Sequence, residues 1–345
     1  MTGRERILRH LSDEPVDHLP CMPITMQFAS RYAGVPYSRY AQDGRVLAEA
    51  QVRVASAFGF DHVSAISDPA REASDLGAAV VFAHDTPPAM DGTNPLIAER
   101  SDLTSLLDRH SVCGPRMEDR LVGIAALRER VGDELLVEGW IEGPCAEAAD
   151  LRGINTLMTD FGDDPAFVRD LFEFVLQLEL GFARRQIEAG ADIIGIGDAA
   201  ASLVGPAIYE EFVLPFQIRM VDGVHAMDAL VRLHICGNTR RVLRFMGQTG
   251  SDIVDLDYPS SMAEARSAMG SRQMLLGNID PVRVLQDATA TIVYESIAAC
   301  HAEAGPRYIV GAGCEVTRDT PHENVHALVR YGREHGPGDQ SHILK

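Results

Sequence analysis

Short apolar runs of strand length recur along this chain, separated by stretches with helical spacing, and that alternation constrains the fold more than any other feature. The runs fall at 19–24, 62–66, 134–140, 192–197, 230–234, 252–257, 273–276 and 308–310. Helical stretches at 44–58, 118–131, 145–160, 165–189 and 207–227 separate most of them, and a last helix is expected over 321–333. The clearest is 165–189, with Phe167, Leu171, Phe174, Val175, Leu178 and Phe182 on one face. Strand–helix alternation implies parallel pairing through right-handed crossovers. Eight such units predict an α/β fold, a single (β/α)8 TIM barrel. A helix over 3–12 extends it at the N-terminus, and an extra strand at 78–84, with polar loop to about residue 117, forms an insertion after the second strand. With no break in composition, one domain over 1–345 is expected. The alternative is an open doubly wound sheet, but no glycine-rich phosphate loop follows the first run, and Gly195-Ile196-Gly197 is only half a dinucleotide fingerprint.

In a barrel the chemistry lies beyond the C-terminal ends of the strands. Polar residues recur there: Asp68, Glu142, Asp198, His234 with Cys236, Asp257, Asn278 and Cys314. Asp and Asn in such places also cap the helices that follow. His234 and Cys236 are not preferred caps; they are two residues apart on a strand and so face the same way. Cys314, in Gly311-Ala312-Gly313-Cys314, adds a third soft donor. One nitrogen and two thiolates favour zinc over magnesium or calcium and leave one position for water or substrate. Taken singly, these side chains also suit a hydrogen-bonded core histidine and two buried small hydrophobes. The runs that carry them are three steps apart round the ring, so a shared ion would have to sit across the mouth.

A formal net charge of −19 argues against nucleic acid or an anionic membrane as partner. Six cysteines without a clustered framework fit a reducing cytoplasm, where thiolate ligands survive. No apolar run approaches the roughly 20 residues of a membrane span, and the charged start Met1-Thr2-Gly3-Arg4-Glu5-Arg6 has no apolar signal region. A His-Cys-Cys zinc with water bound would suit hydrolysis or deamination, yet the closely spaced Pro-Cys-x-x-Cys of zinc deaminases is absent. A thiolate-rich zinc instead suits a substrate thiol, which it would present as a nucleophile, so alkyl transfer to sulfur is expected.

Three stretches resemble the uroporphyrinogen decarboxylase superfamily: Leu233-His234-Ile235-Cys236-Gly237-Asn238-Thr239, Gly277-Asn278-Ile279-Asp280-Pro281, and Gly311 to Val316 with Asp319 to Asn324. Within it they are most similar to the corrinoid-dependent branch, typified by methylcobalamin:coenzyme M methyltransferases. The resemblance implies a (β/α)8 barrel and zinc on His234, Cys236 and Cys314. Asp257 is the candidate for a labile fourth ligand, and Asp198 and Asp68 for orienting substrate. The methyl donor would be methylcobalamin or a separate corrinoid protein, and the acceptor a small thiol such as coenzyme M or homocysteine. A homo-oligomer is compatible with all of this. In the decarboxylases two arginines in a stretch like R-Q-A-G-R-Y meet substrate carboxylates. The matching stretch here is Gln27-Phe28-Ala29-Ser30-Arg31-Tyr32, with one arginine gone. Arg31, Gln27 and Asn278 are therefore carried as candidate cofactor or acceptor contacts, and porphyrinogen decarboxylation is disfavoured. Glu72 falls in a stretch like the family's E-A-E-A-L-G, where a helix-surface role is equally expected. The alternatives are methyl transfer to tetrahydrofolate, as in a zinc-free branch, and a non-enzymatic corrinoid or metal carrier; for the carrier no D-x-H-x-x-G loop is found.

Overall fold

The computed structural model describes residues 1–107 and 113–339. Its strands, in chain order, are β1 (His62–Ser64), β2 (Val80–Val81), β3 (Ala89–Met90), β4 (Leu136–Glu142), β5 (Ile193–Gly197), β6 (Leu230–Ile235), β7 (Ile253–Leu256), β8 (Met274–Ile279) and β9 (Tyr308–Ala312). Seven of them form one sheet in the order β1-β4-β5-β6-β7-β8-β9, every pair parallel. The strands of this sheet are buried on both faces, as expected of a parallel sheet covered by helices.

The sheet curls, because both edge strands reach one segment. Cys21 and Ile24 make parallel bridges to Val310 and Glu315 on the β9 side, while Asp61, just before β1, donates its backbone N–H to the carbonyl of Cys21 at 3.1 Å. The first run expected as a strand, 19–24, is therefore present as two isolated bridges, and the sheet has seven strands among the described residues. Pro20 and Pro23 are the reason: neither has an N–H to give, so a continuous ladder cannot form there.

The insertion also differs from expectation. The strand anticipated at 78–84 shrinks to β2, which pairs antiparallel with β3 in a small separate hairpin. The stretch expected as loop to about residue 117 contains the helix Arg100–Leu107 and the start of the helix Pro115–Val131. A single helix over 145–160 becomes two, Pro144–Arg152 and Ile154–Asp163, broken at Gly153. The long amphipathic helix lies where its periodicity puts it, at Pro165–Glu188. Gln27 and Arg31 fall on a short helix, Met26–Ala33, that the sequence reading left unassigned. Among the described residues no helix is long and apolar enough to cross a membrane.

Candidate metal centre

His234 lies near the end of β6 and Cys236 just past it, on the same face of the extended chain. Cys314 follows β9 by two residues. Two strands, β7 and β8, stand between them in the sheet, yet the three side-chain donors converge across the mouth. The His234 ring nitrogen and the two Sγ atoms all lie within 4.8 Å of one another. His234 Nε2 is 3.2 Å from the Cys236 Sγ. The loop bearing Cys314 reaches this position because Gly313 packs against neighbouring backbone; a Cβ there would stand 2.6 Å from the Tyr258 nitrogen.

The far side of the imidazole is held by a charged ladder inside the sheet. His234 Nδ1 lies 2.9 Å from Oδ2 of Asp255, its register partner on β7, at an angle outside that of a well-formed hydrogen bond. Arg232 donates to the same Asp255 oxygen at 2.7 Å and to Glu138 at 3.2 Å. Glu138, Arg232, Asp255 and His234 are all buried. A buried charge without a partner is costly, so these groups fix one another and fix the ring. Asp255 stays below the usual carboxylate range: burial pushes it up, but Arg232 and His234 outweigh that.

The two thiols are inequivalent. Cys314 is held well below an ordinary thiol by a hydrogen bond from Cys236, against the effect of burial and with help from His234. Cys236 is pushed well up by that same bond and by burial. His234 is raised well above 6.5, because Cys236 and Asp255 outweigh the burial that would lower it. A buried imidazole thus stands beside two thiols whose proton affinities are driven in opposite directions. Such a donor set suits a soft cation that displaces their protons, and zinc matches its one-nitrogen, two-sulfur composition.

Beside the donors opens a cleft of ≈ 150 Å³. Ile24, Met26, Ile66 and Trp140 line its apolar wall, and Asp68, Glu142 and Glu315 bring carboxyl groups to it. Trp140 Nε1 donates to Glu142 at 3.1 Å. Asp68 accepts from Arg116 at 2.8 and 2.9 Å and from the Ser67 hydroxyl at 2.7 Å. Gln27 Nε2 donates to Glu315 at 2.6 Å, and burial raises Glu315 to about 7.

Of the remaining candidates, Asp257 stands near enough to Cys314 and His234 for their charges to act on it. Asp257 is not in the three-donor group: its oxygens accept from the backbone N–H of Gly237 and Tyr258, and burial raises it to about 6. Asp198 is wholly buried outside the cleft lining, accepting from the Ala146 N–H and from Gln217, each at 2.7 Å, with burial raising it to about 7. Asn278, in β8, donates to the carbonyls of Asp257 and Ser260 and ties that strand to the loop after β7. Arg31 is outside the cleft lining; its side chain is 66% exposed and 3.7 Å from Asp319. Glu72, expected as readily on a helix surface, is fully buried and 3.1 Å from Arg120. Sequence reasoning missed Asp255, Arg232, Trp140 and Glu315. For the first two a signal existed, since charged residues at alternating positions inside apolar strands mark an inward-facing polar ladder.

Comparison with known proteins follows the same lines. The family profile described as Uroporphyrinogen decarboxylase (URO-D) matches residues 2–335. A methylcobamide:CoM methyltransferase, MtbA, from Methanosarcina mazei is 28% identical over 344 residues, covering 97% of this chain and 98% of its own length. A uroporphyrinogen decarboxylase from Nostoc sp. is 32% identical over 211 residues, 59% of each chain. Among solved structures, a methyltransferase from Methanosarcina mazei superposes with a TM-score of 0.84 at 23% identity, covering 97% of this chain and 99% of that one.

Proposed function

The chain belongs to the uroporphyrinogen decarboxylase family, and from that premise we propose that it is a zinc-dependent methyltransferase moving a methyl group from a methylated corrinoid to a small thiol. The observation that carries the reading is the convergence of His234, Cys236 and Cys314 beside a cleft at the strand ends. The relatives named as methylcobamide:CoM methyltransferases support it, since they align along nearly their whole length. The methyl donor would be methylcobalamin or a corrinoid protein docked at the mouth. Segment 20–24 and the seven-stranded sheet are read together as one (β/α)8 barrel over the whole chain.

Zinc on these three side chains would lower the pKa of a substrate thiol and so present it as thiolate at neutral pH. The chain's own residues would do the rest. His234, Cys236 and Cys314 would hold the zinc and leave it one position for the substrate sulfur, and Asp255 would orient the ring, as carboxylates behind metal-bound histidines do. Asp257 acts as a positioning residue, fixing the turn at Gly237 directly after Cys236. Gln27 orients Glu315, Asp198 holds the helix Pro144–Arg152 in place, and Asp68 with Arg116 closes one side of the cleft. The apolar wall of Ile24, Ile66 and Trp140 excludes water, so the thiolate sulfur rather than hydroxide meets the methyl carbon. A methylated corrinoid would supply the methyl group as an electrophile and would leave with both electrons of its carbon–cobalt bond, so the transfer balances without an outside oxidant or reductant.

The test is metal content. Protein purified without added metal should carry about one zinc per chain. Cys314→Ser should lose it or bind it at least tenfold more weakly. A wild-type protein that takes up no zinc on reconstitution would overturn the reading and favour methyl transfer to tetrahydrofolate.

A further inference from the structure

We propose that the acceptor thiol bears no anionic group: its arm is uncharged or cationic, unlike the sulfonate-bearing coenzyme M for which the aligned relatives are named. The inference rests on the thiol-transfer reading above and concerns what lies beyond the sulfur. The described residues lining the cleft include no lysine and no arginine. Every ionisable side chain there, apart from the three metal donors, is a carboxyl: Asp68, Glu142 and Glu315. Arg116, which borders the cleft through Asp68, gives Nη2 to both oxygens of Asp68 and Nη1 to the carbonyl of Ala70 at 2.9 Å, leaving only its buried Nε without a partner. Arg31, the cation that sequence reasoning offered to an anionic acceptor, faces solvent beside Asp319.

A sulfonate or carboxylate moved from water into an apolar cleft needs a paired charge or several donors to replace its hydration. Proteins that select such groups supply arginine, whose fork matches them. Here the wall offers Ile24, Met26, Ile66 and the Trp140 ring, and the Trp140 N–H is spent on Glu142. Apart from Arg116 Nε, the side-chain polar groups left over at the wall are carboxyl oxygens. Glu315 gives one oxygen to Gln27, and its Oε2 is buried without a hydrogen-bond partner. An oxygen of that kind is satisfied by a donor on the ligand, a hydroxyl or an ammonium, and not by another anion. The wall's ion-paired carboxylate, Asp68, holds Arg116 and so keeps that guanidinium from serving an anionic arm.

The test uses the full chain with cobalt(II) in place of zinc, so that binding of sulfur is read from the visible spectrum without any methyl transfer. Three thiols of one length are titrated: 2-mercaptoethanol, cysteamine and 2-mercaptoethanesulfonate. The expected result is that 2-mercaptoethanol and cysteamine bind at least tenfold tighter than the sulfonate. Asp68→Asn, which leaves Arg116 without its carboxylate at the cleft wall, should narrow that gap at least threefold. Sulfonate binding as tight as that of the other two overturns the proposal and leaves thiol activation standing. A gap unchanged in Asp68→Asn overturns the assignment of selectivity to the charge of the wall. Three thiols that all leave the cobalt spectrum unchanged overturn the thiol-transfer reading itself, and with it the proposal.

Discussion

At the scale of single residues, the three donors depend on side chains that never touch the metal position. Asp255 is the clearest case: wholly buried, 2.9 Å from His234 Nδ1 and tied to Arg232. Asp255→Asn keeps the shape but removes the charge that orients the ring and leaves Arg232 with Glu138 alone. Zinc affinity, measured by chelator competition, should fall by about 10- to 100-fold. Affinity unchanged by this substitution would show that the strand alone fixes the histidine. A second residue-scale expectation concerns Asp198, which only accepts, from the Ala146 N–H and Gln217 Nε2 among others. In Asp198→Asn one amide hydrogen faces a donor, which should destabilise the fold by about 1–3 kcal/mol in urea denaturation. The mismatch is confined to the wall behind the cleft, so zinc content should not change.

At the scale of elements, β5 is shaped around one ring. A Cβ at Gly195 would stand 2.2 Å from Trp140 Cε3, and one at Gly197 would stand 2.9 Å from Trp140 Cζ2. Gly195→Ala should therefore displace the indole into the cleft and cost about 1–3 kcal/mol through overpacking. Trp140 is the chain's one tryptophan, so its fluorescence reports the displacement directly. An unshifted emission maximum would mean that the strand, and not the ring, gives way. The strand–helix alternation made this architecture legible, and the same reading placed His234 and Cys236 on one face. What it could not convey was local chemistry that breaks a ladder. Pro20 and Pro23 turn the expected first strand into two bridges, and Gly153 divides one expected helix into two. Nor could strand-end position alone say which polar side chains face the cleft. Asp68 and Glu142 do, whereas Asp198 bonds to the helix Pro144–Arg152 and Asn278 to the loop after β7. Cys314 was legible as a donor, but its meeting with Cys236 across two intervening strands follows from the curl of the sheet.

For the whole molecule, charge sets the response to pH. Burial raises Glu142, Glu147 and Glu179 well above the usual glutamate range and raises Asp150 to about 7. Neighbouring acids add to the effect, and the one buried counter-charge, Arg120, acts on Glu142 and Glu179. Both carboxylate oxygens of Glu147 and of Glu179 lack hydrogen-bond partners. The native state thus keeps protons that the unfolded chain has released above about pH 4.5, so stability falls as pH rises from there toward 7 and beyond. The net charge of −19 pushes in the same direction through self-repulsion. The thermal midpoint should drop by roughly 3 °C or more between pH 5 and pH 8, and Glu147→Gln should flatten that slope. A midpoint that climbs over this range would contradict the buried-acid account. The central claim remains the chemistry at the mouth, and its most direct test is turnover. Zinc-loaded protein is mixed with methylcobalamin and 2-mercaptoethanol, and loss of the cobalt–carbon absorption is followed alongside S-methyl product. Product should form in step with demethylation, be abolished in the Cys314→Ser variant, and return in chelated wild type when zinc is added back. Demethylation that proceeds equally without zinc, or no S-methyl product from any thiol with a methylated corrinoid, would contradict it.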